Sequence, residues 1–204
     1  MQFAYFDYQR YRSAPRQLLT QPDQVRDAFN ARADHSNGYL YGCFRSMVGL
    51  GLARDEGIAV SAWRTETEAR AAPEHGPGAR VIMKATLRPT KDGAPDKADG
   101  LYVFRWFKVL DPNWNEFASL SDEAWPNMEG VFGTQIFGFW RSLDSKDGIA
   151  DVLLLTWYAN LATWEASRWW NKPVEAAQAS MSRFRRRNDL IEDTIAYPVL
   201  FIPA

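Results

Sequence analysis

Two short stretches of this chain repeat each other, and this repeat constrains the fold more than any other feature. Gly42–Ser46 reads GCFRS, and Gly138–Ser142 reads GFWRS nearly half the chain length further on. Each copy is followed by a GIA tripeptide and an apolar run that ends in tryptophan, at Gly57 and Trp63 and then at Gly148 and Trp157. Because self-similarity at a fixed spacing marks a repeated structural unit, the 204 residues are predicted to form two copies of one unit.

Strand and helix signals follow the same order in both halves. The first half begins with an aromatic strand from Phe3, followed by a helix capped at Thr20 and two strands. A second helix then opens with a capping box at Thr65, and a strand closes the half. In the second half, Pro126 is predicted to end or kink the first helix, and Pro173 interrupts the next. Each half is therefore predicted to be a βαββαβ unit.

A polar stretch rich in turn-forming residues, Lys91–Gly100, separates the two units. We therefore predict an α+β chain of tandem ferredoxin-like halves, residues 1–92 and residues 99–204. The strand Leu101–Leu110 is apolar on both faces, although helices cover only one face of such a sheet. The two antiparallel sheets are therefore predicted to pack together as an α/β barrel, or else to be covered by a second chain.

Bulk composition excludes several classes of function. The formal net charge of -1 gives no electrostatic basis for a nucleic-acid or anionic-membrane partner. No apolar run reaches the roughly 18 residues that span a bilayer, and the N-terminus does not resemble a secretory signal. Cys43 is the single cysteine, which precludes an intrachain disulfide and fits a reducing compartment. These features predict a cytoplasmic protein without a nucleic-acid or membrane partner.

The second half resembles the dimeric α/β-barrel superfamily, which includes the antibiotic-biosynthesis monooxygenases and the NIPSNAP-like proteins. The shared pattern is a Gly-aromatic strand, an apolar strand ending in Trp-Tyr, and a helix with an acidic and a basic residue. Here those positions are Gly138, Trp140, Trp157, Tyr158, Glu165 and Arg168. The first half matches through GCFRS, GIA and AWRTETEAR alone.

This resemblance implies a ligand-sized cavity and a homodimer, and it does not point to a particular reaction. The superfamily contains cofactor-free oxygenases, heme-degrading enzymes, isomerases, cyclases and members with no known reaction. It therefore implies two alternatives, an enzyme acting on a small molecule or a non-catalytic NIPSNAP-like binding or interaction protein.

Two arginines at equivalent strand positions, Arg45 and Arg141, are the predicted catalytic residues. Alternation along each strand predicts which side chains share a face with them: Phe139, Phe137 and Gln135 with Arg141, and Cys43, Tyr41 and Tyr39 with Arg45. A guanidinium among aromatic rings can hold a carboxylate or phenolate in a bidentate manner. The alternative is a strand-end arginine paired with a helix carboxylate.

The chain is rich in aromatic residues, with nine Trp, eight Tyr and twelve Phe. Such side chains can stack on a planar ligand, although most of them pack in cores. The predicted substrate-binding residues are Trp157, Trp125, Phe139, Gln135 and Tyr41. Tyr158 follows Trp157 on the same strand, so the two are predicted to face opposite sides of the sheet.

Metal and triad chemistry are poorly supported by the sequence. The only histidines are His35 and His75, which rules out a His-rich metal site and disfavours a Ser-His-Asp triad. His75 falls roughly where heme-degrading relatives carry a histidine, but a surface loop is the alternative. Arginines cluster at Arg183–Arg187, where they suit the C-terminus of a helix.

Together these features predict a small-molecule enzyme with a hydrophobic or aromatic substrate held between sheet and helices. No metal or organic cofactor is expected, because a confined pocket can orient an electron-rich substrate and supply one acid or base. Oxygenation by a monooxygenase, or a lyase or isomerase step, fits this arrangement equally well.

Overall fold

The described residues form eight strands and five α-helices. The computed structural model describes residues 1–14, 17, 20–31, 37–47, 49–168, 171 and 178–202. The strands are β1 (Tyr5–Arg12), β2 (Gly38–Ser46), β3 (Glu56–Trp63), β4 (Gly78–Arg88), β5 (Leu101–Leu110), β6 (Gln135–Ser142), β7 (Ile149–Tyr158) and β8 (Ile191–Ile202). The helices are α1 (Gln21–Asn30), α2 (Glu66–Arg70), α3 (Trp114–Phe132), α4 (Leu161–Ala166) and α5 (Gln178–Asn188).

All eight strands form one closed antiparallel barrel, in the order β1-β3-β2-β8-β5-β7-β6-β4. Within each half the order is that of a ferredoxin-like sheet, β4-β1-β3-β2 and then β8-β5-β7-β6. The edge strands of the two sheets pair with each other, β2 with β8 and β4 with β6. The predicted α+β fold of tandem ferredoxin-like halves in an α/β barrel is therefore confirmed, and the chain closes its barrel without a second copy.

Both faces of the sheet are apolar because each covers a different core. The barrel interior holds rings from both halves, among them Phe6, Tyr8, Phe44, Tyr102, Phe104, Trp140 and Tyr197. The outer face packs on the helices, through Phe107, Phe139 and Leu154 against α3 in the second half. Burying such rings is the main stabilising contribution of each layer.

A β-bulge recurs at the repeated glycine in each half and changes which side chains share a face. The register shifts between Leu40 and Gly42 in β2, and between Ile136 and Gly138 in β6. A bulge inserts one extra residue into the strand. Residues separated by two positions across the bulge therefore no longer lie on the same face of the sheet. The grouping of Arg45 with Tyr41 is therefore wrong, as is the grouping of Arg141 with Phe137 and Gln135.

The bulge leaves equivalent residues of the two halves in direct contact inside the barrel. Tyr41 and Phe137 both turn towards the interior core, and the Tyr41 hydroxyl donates to the Phe137 carbonyl oxygen at 2.8 Å. Cys43 and Phe139 lie on the outer face, in the layers next to the helices. The repeated pentapeptide thus builds the same local geometry twice.

The equivalence of the two GIA motifs is wrong. Arg45 pairs with Gly57, whereas Arg141, at the equivalent position, pairs with Val152 instead of Gly148. In the same register Trp63 pairs with Tyr5, and Tyr158 pairs with Leu101. The structural counterpart of Trp63 is therefore Tyr158, because β7 begins with extra residues that the tripeptide match does not reveal.

Helix α3 continues through its proline. Pro126 lies inside the helix, which ends at Phe132 before the left-handed residue Gly133. Of the two predicted alternatives, an end at Pro126 is therefore wrong, because one lost hydrogen bond is outweighed by packing of the apolar helix face, and a kink at Pro126 stays a prediction. Buried Phe117, Trp125 and Ala124 form that face. Pro173 lies outside the described residues.

Candidate functional site

The outer face of the second sheet is not fully filled by its helices. A cavity of about 80 Å³ lies between β5, β6 and β7 on one side and α3, α4 and α5 on the other. It is lined by Arg105, Trp125, Met128, Thr134, Ile136, Leu154, Thr156, Tyr158, Ser167, Arg168, Phe184 and Arg187. Aromatic and aliphatic walls with a few converging polar groups are typical of small-ligand sites.

Two guanidinium groups in this cavity lack a carboxylate partner among the described residues. Arg105 projects from the middle of β5, and Arg187 from the last turn of α5. The only hydrogen bond from Arg187 within the described part of the chain goes to the Ser121 hydroxyl at 3.3 Å. Its carbon Cζ also lies 5.0 Å from the ring centre of Phe107. Rings solvate a cation only in part, so the site is short of negative charge.

Burial makes these two positive charges costly. It lowers the pKa of Arg105, with repulsion from Arg168 adding to the effect. It also lowers the pKa of Arg187 to about 9, and here repulsion from Arg105 adds to the effect. Arg187 therefore still carries its charge at neutral pH. Because two like charges in a poorly solvated space are stabilised by a shared counter-ion, the geometry favours an anionic ligand.

Tyr158 places a phenol beside the arginines. Burial raises its pKa, while Ser167, Arg105, Thr156 and Arg187 all act in the opposite direction. Because its pKa is raised overall, this phenol stays protonated at neutral pH and can donate a hydrogen bond or a proton to a substrate anion. Tyr158 faces this cavity whereas Trp157 packs with the barrel interior, so the predicted opposition of the two side chains is confirmed.

Two further groups complete the walls. Arg168 forms an ion pair with Glu165 at 2.7 Å, and its guanidinium lies 4.1 Å from the ring centre of Trp164. Trp125 is buried, and its indole N–H has no acceptor in the described part of the chain. A buried donor without a partner is uncommon in proteins, and here it borders the cavity.

The equivalent place in the first half is filled. Gln9 stands where β5 has Arg105, and its amide donates to Asp7 and to the Pro73 carbonyl. Trp63 stands at the position of Tyr158, packs on Phe29 and donates to the Ser61 hydroxyl at 2.8 Å. Buried Asp7 is neutralised by Arg80, whose Nε lies 2.9 Å from its carboxylate. The place that the cavity occupies in the second half is therefore taken up in the first half by packed side chains and an ion pair.

The two arginines predicted as catalytic lie outside this cavity. Arg141 donates to Asp111 at 2.5 Å, and its guanidinium lies 5.1 Å from the ring centre of Trp114. Arg45 is exposed near the junction of β2 and β8. Arg141 thus adopts the alternative arrangement, a strand-end arginine paired with a carboxylate, and the two arginines do not share one site.

The predicted substrate-binding residues divide among three places. Trp125 lines the cavity, and Phe139 packs against the Trp125 ring at 5.0 Å. Tyr41 is buried inside the barrel. Trp157 lies at one end of the barrel and donates to the Asp99 carbonyl, and Gln135 pairs with it across the sheet.

The residues that define the cavity chemistry, Arg105, Arg187 and Tyr158, were not among the predicted site residues. A signal for Arg105 was present, since a lone arginine inside LYVFRWFKVL falls on the helix-facing side of an otherwise apolar stretch. Arg187 was interpreted with its neighbours as a charged helix end. Arg186 fits that interpretation through its exposed ion pair with Glu116, whereas Arg187 turns inward.

The described lining does not suit heme or a structural metal. It contains neither histidine nor cysteine, and although Met128 and Tyr158 are possible axial ligands, a cavity of about 80 Å³ is too small for a porphyrin. His75 lies in the first half, where its backbone N–H donates to Gln9, and His35 lies outside the described residues. No group of three or more His, Cys, Asp or Glu that could hold a metal ion occurs within the described ranges.

No protein-family model matches the chain, and no curated protein matches it. Several solved structures do match the chain. An anthrone oxidase-like protein has a TM-score of 0.66 and 11% identity, over 100% of this chain and 92% of that one. A variant of chlorite dismutase from Candidatus Nitrospira defluvii has a TM-score of 0.61 and 10% identity, over 98% of this chain and 91% of that one.

An uncharacterized ferredoxin fold protein from Listeria monocytogenes, related to antibiotic biosynthesis monooxygenases, has a TM-score of 0.51 at 7% identity. That match covers 98% of this chain and 96% of the other. The chain thus shares the α/β-barrel fold of antibiotic-biosynthesis-monooxygenase-like proteins, as predicted, and it shares this fold with chlorite dismutase as well. The specific likeness to NIPSNAP proteins stays a prediction. Among the described residues, no helix is both long and apolar enough to cross a bilayer.

Proposed function

We propose that this protein is an enzyme that binds a small aromatic or enolisable anion in the cavity of the second half. Arg105 and Arg187 would hold the anionic oxygen, and Tyr158 would exchange a proton with the substrate. The observation that carries the proposal is the pair of cavity guanidiniums without a carboxylate among the described residues. Natural interiors seldom keep such charges unpaired, so a ligand is the simplest counter-ion.

The arrangement suits reactions that begin with loss of a proton from an acidic C–H or O–H. The two arginines would stabilise the resulting enolate or phenolate in a fixed, poorly solvated setting. Water would take up that proton, and Tyr158 would remain protonated as the acid that can return a proton to the anion. The electron-rich anion would then react with dioxygen in a cofactor-independent oxygenation, or take the proton back at another carbon in an isomerase or lyase step.

The names of the similar structures agree with the oxygenation alternative, since they include an anthrone oxidase-like protein and a relative of antibiotic biosynthesis monooxygenases. The fold itself is compatible with many reactions, so the support from these names is for the type of chemistry. A homodimer stays a prediction as well, because the barrel of one chain is already closed.

Binding of benzoate tests the anion site directly. The Arg187→Met variant is expected to bind benzoate about 10- to 100-fold more weakly, since a hydrogen bond to a charged group contributes about 1.5–3 kcal/mol. Arg186→Met is the matched control, because Arg186 is the preceding residue of α5 and pairs with Glu116 on the surface. Isothermal titration calorimetry measures both affinities, and equal affinity in wild type and Arg187→Met would exclude the site.

Catalysis needs a second measurement. With an enolisable ketone as the probe, hydrogen–deuterium exchange at the acidic carbon is expected in wild type and at least about 100-fold slower in Tyr158→Phe. Benzoate binding should persist in that variant, because both arginines remain. Wild-type binding without any exchange would favour the non-catalytic binding protein instead.

A further inference from the structure

A second cavity lies at one mouth of the barrel, away from the helices. Its volume is about 230 Å³, and strands of both halves contribute to it. The lining residues are Tyr8, Arg10, Ala79, Val81, Trp106, Phe107, Lys108, Asp151, Asp193, Thr194, Ile195 and Tyr197. Neither the proposed anion site nor the predicted site residues involve this surface.

The floor of the mouth is a hydrogen-bonded cluster that crosses the barrel. The Tyr8 and Tyr197 hydroxyls lie 2.7 Å apart, and the Trp106 indole donates to the Tyr197 hydroxyl at 2.9 Å. Tyr8 comes from β1, whereas Tyr197 and Trp106 come from β8 and β5 of the other half. Both tyrosines are 2% exposed, so their hydroxyls are shielded from bulk water.

Counting protons shows that this cluster is incomplete. The two phenols carry two protons, but only one of these lies in the hydrogen bond between them. The Trp106 indole is a donor only, and neither hydroxyl has another acceptor in the described part of the chain. One buried O–H at the floor therefore lacks an acceptor, whichever tyrosine donates to the other. Leaving such a group unpaired is costly, so the floor suits a ligand with an acceptor oxygen.

The charges around the mouth argue against an anionic ligand. The lining carries the cations Arg10 and Lys108 and the carboxylates Asp151 and Asp193. Arg10 already donates to Glu56 at 2.7 Å, and Lys108 to Asp151 at 2.9 Å. This balance contrasts with the second-half cavity, where the described lining contains three arginines and no carboxylate. A neutral ligand gains the acceptor contact without disturbing these pairs.

The walls favour a flat apolar body. Trp106 is half-buried and meets the Tyr8 ring edge-to-face at 5.0 Å. Ile195 is 54% exposed at the rim, which is high for a large aliphatic side chain, and Val81 is half-buried opposite it. Aromatic rings pack well against indole and aliphatic surfaces of this kind.

We propose that the barrel mouth binds a neutral aromatic carbonyl compound, whose oxygen accepts the free proton of the Tyr8–Tyr197 pair while its ring packs against the neighbouring side chains of Trp106 and Ile195. The Tyr8–Tyr197 pair acts as one donor in this site. Either hydroxyl can supply the proton, because the hydrogen bond between the two tyrosines can reverse.

Three naphthalene derivatives test the chemistry on the full chain. The ketone 2-acetylnaphthalene is expected to bind at the mouth and to shift the NMR signal of the Trp106 indole N–H. Naphthalene lacks the acceptor and is expected to bind about tenfold more weakly. 2-Naphthoate is expected to favour the arginine cavity and to leave the Trp106 signal in place. Equal affinity of the ketone and naphthalene would overturn the proposal.

Variants test the place. Ala79 is an exposed lining residue, so Ala79→Phe fills the mouth without entering the core and is expected to abolish ketone binding. Tyr8→Phe leaves one free hydroxyl proton and should retain the ketone preference, whereas the double variant Tyr8→Phe/Tyr197→Phe should lose it. Arg187→Met should leave ketone binding unchanged, which separates this site from the proposed anion site. Unaltered ketone binding in Ala79→Phe, or its loss in Arg187→Met, would place the ketone elsewhere.

Discussion

The two halves have the same fold, but the layer between sheet and helices is filled in the first half and holds a cavity in the second. In the first half, Trp63 and Gln9 fill the space and Arg80 neutralises buried Asp7. In the second half, the equivalent positions hold Tyr158 and Arg105, and a cavity remains. The difference shows that one copy of a repeated unit can be closed by packing and ion pairing while the other stays open for a ligand.

Creating a cavity in the filled layer of the first half should have the largest effect on stability. Trp63→Ala removes a ring that is 4% exposed, and we expect the free energy of unfolding to fall by about 3–5 kcal/mol. Urea denaturation followed by circular dichroism measures the change. A loss below about 1 kcal/mol would mean that the first half is as loosely packed as the second.

Removing an arginine should affect the free energy of unfolding differently in the two halves. Arg80→Met leaves the Asp7 carboxylate buried without its partner and should cost about 3 kcal/mol, near the lower limit for a broken buried pair because Arg80 is 25% exposed. Arg187→Met removes a buried charge that has no carboxylate partner among the described residues, so the free energy of unfolding should stay level or rise. Thermal unfolding of the two variants side by side tests the contrast, which disappears if both lose stability equally.

The pH dependence of benzoate binding should be set by the charge of Arg187 in the second-half cavity. Benzoate stays ionised above neutral pH, whereas Arg187 loses its charge as the pH rises through about 9. Affinity should therefore be constant from pH 7 to about 8.5 and fall at higher pH. The free energy of unfolding of the unliganded protein should change in the opposite direction. Because the pKa of Arg187 is lower in the folded than in the unfolded state, the folded protein loses this buried charge first as the pH rises. The free energy of unfolding should therefore increase above about pH 9. Calorimetric titrations at a series of pH values provide the check, with Arg187→Met as the pH-insensitive control.

The smallest effect is expected at the repeated arginine. Arg141→Met breaks the pair with Asp111, in which both side chains are about one-third exposed, and should cost at most about 1 kcal/mol of stability. Benzoate affinity should stay within about twofold of wild type, because Arg141 lies outside the cavity lining. A loss comparable to that of Arg187→Met would instead support the original prediction that Arg141 holds the anion.

The sequence predicted the architecture because strand order, turns and the repeat are all local patterns. Two apolar faces on one strand, as in Leu101–Leu110, correctly indicated a covered inner surface. Side-chain placement was less accessible. The bulge at Gly42 and Gly138 changes the face of Tyr41 and Phe137, and no local rule distinguishes it from an ordinary strand glycine.

The site was predicted only in part, through Trp125. Arg187 and Arg105 are far apart in the chain, and only the packing of α5 on the sheet reveals that they share a space. Within a run of arginines, burial of one member depends on the rotation of the helix against its neighbours. Composition and charge clusters do not contain that information.

Closure of the barrel by β2–β8 and β4–β6 pairing within one polypeptide has a consequence for how its chemistry can diversify. In an assembly of two identical subunits, every amino-acid change appears on both sides of the symmetry axis at once. Here the connecting segment Lys91–Gly100 joins two non-identical partners, so each can be altered alone. A costly substitution such as an unpaired arginine is then incurred once, while its sibling continues to hold the scaffold together.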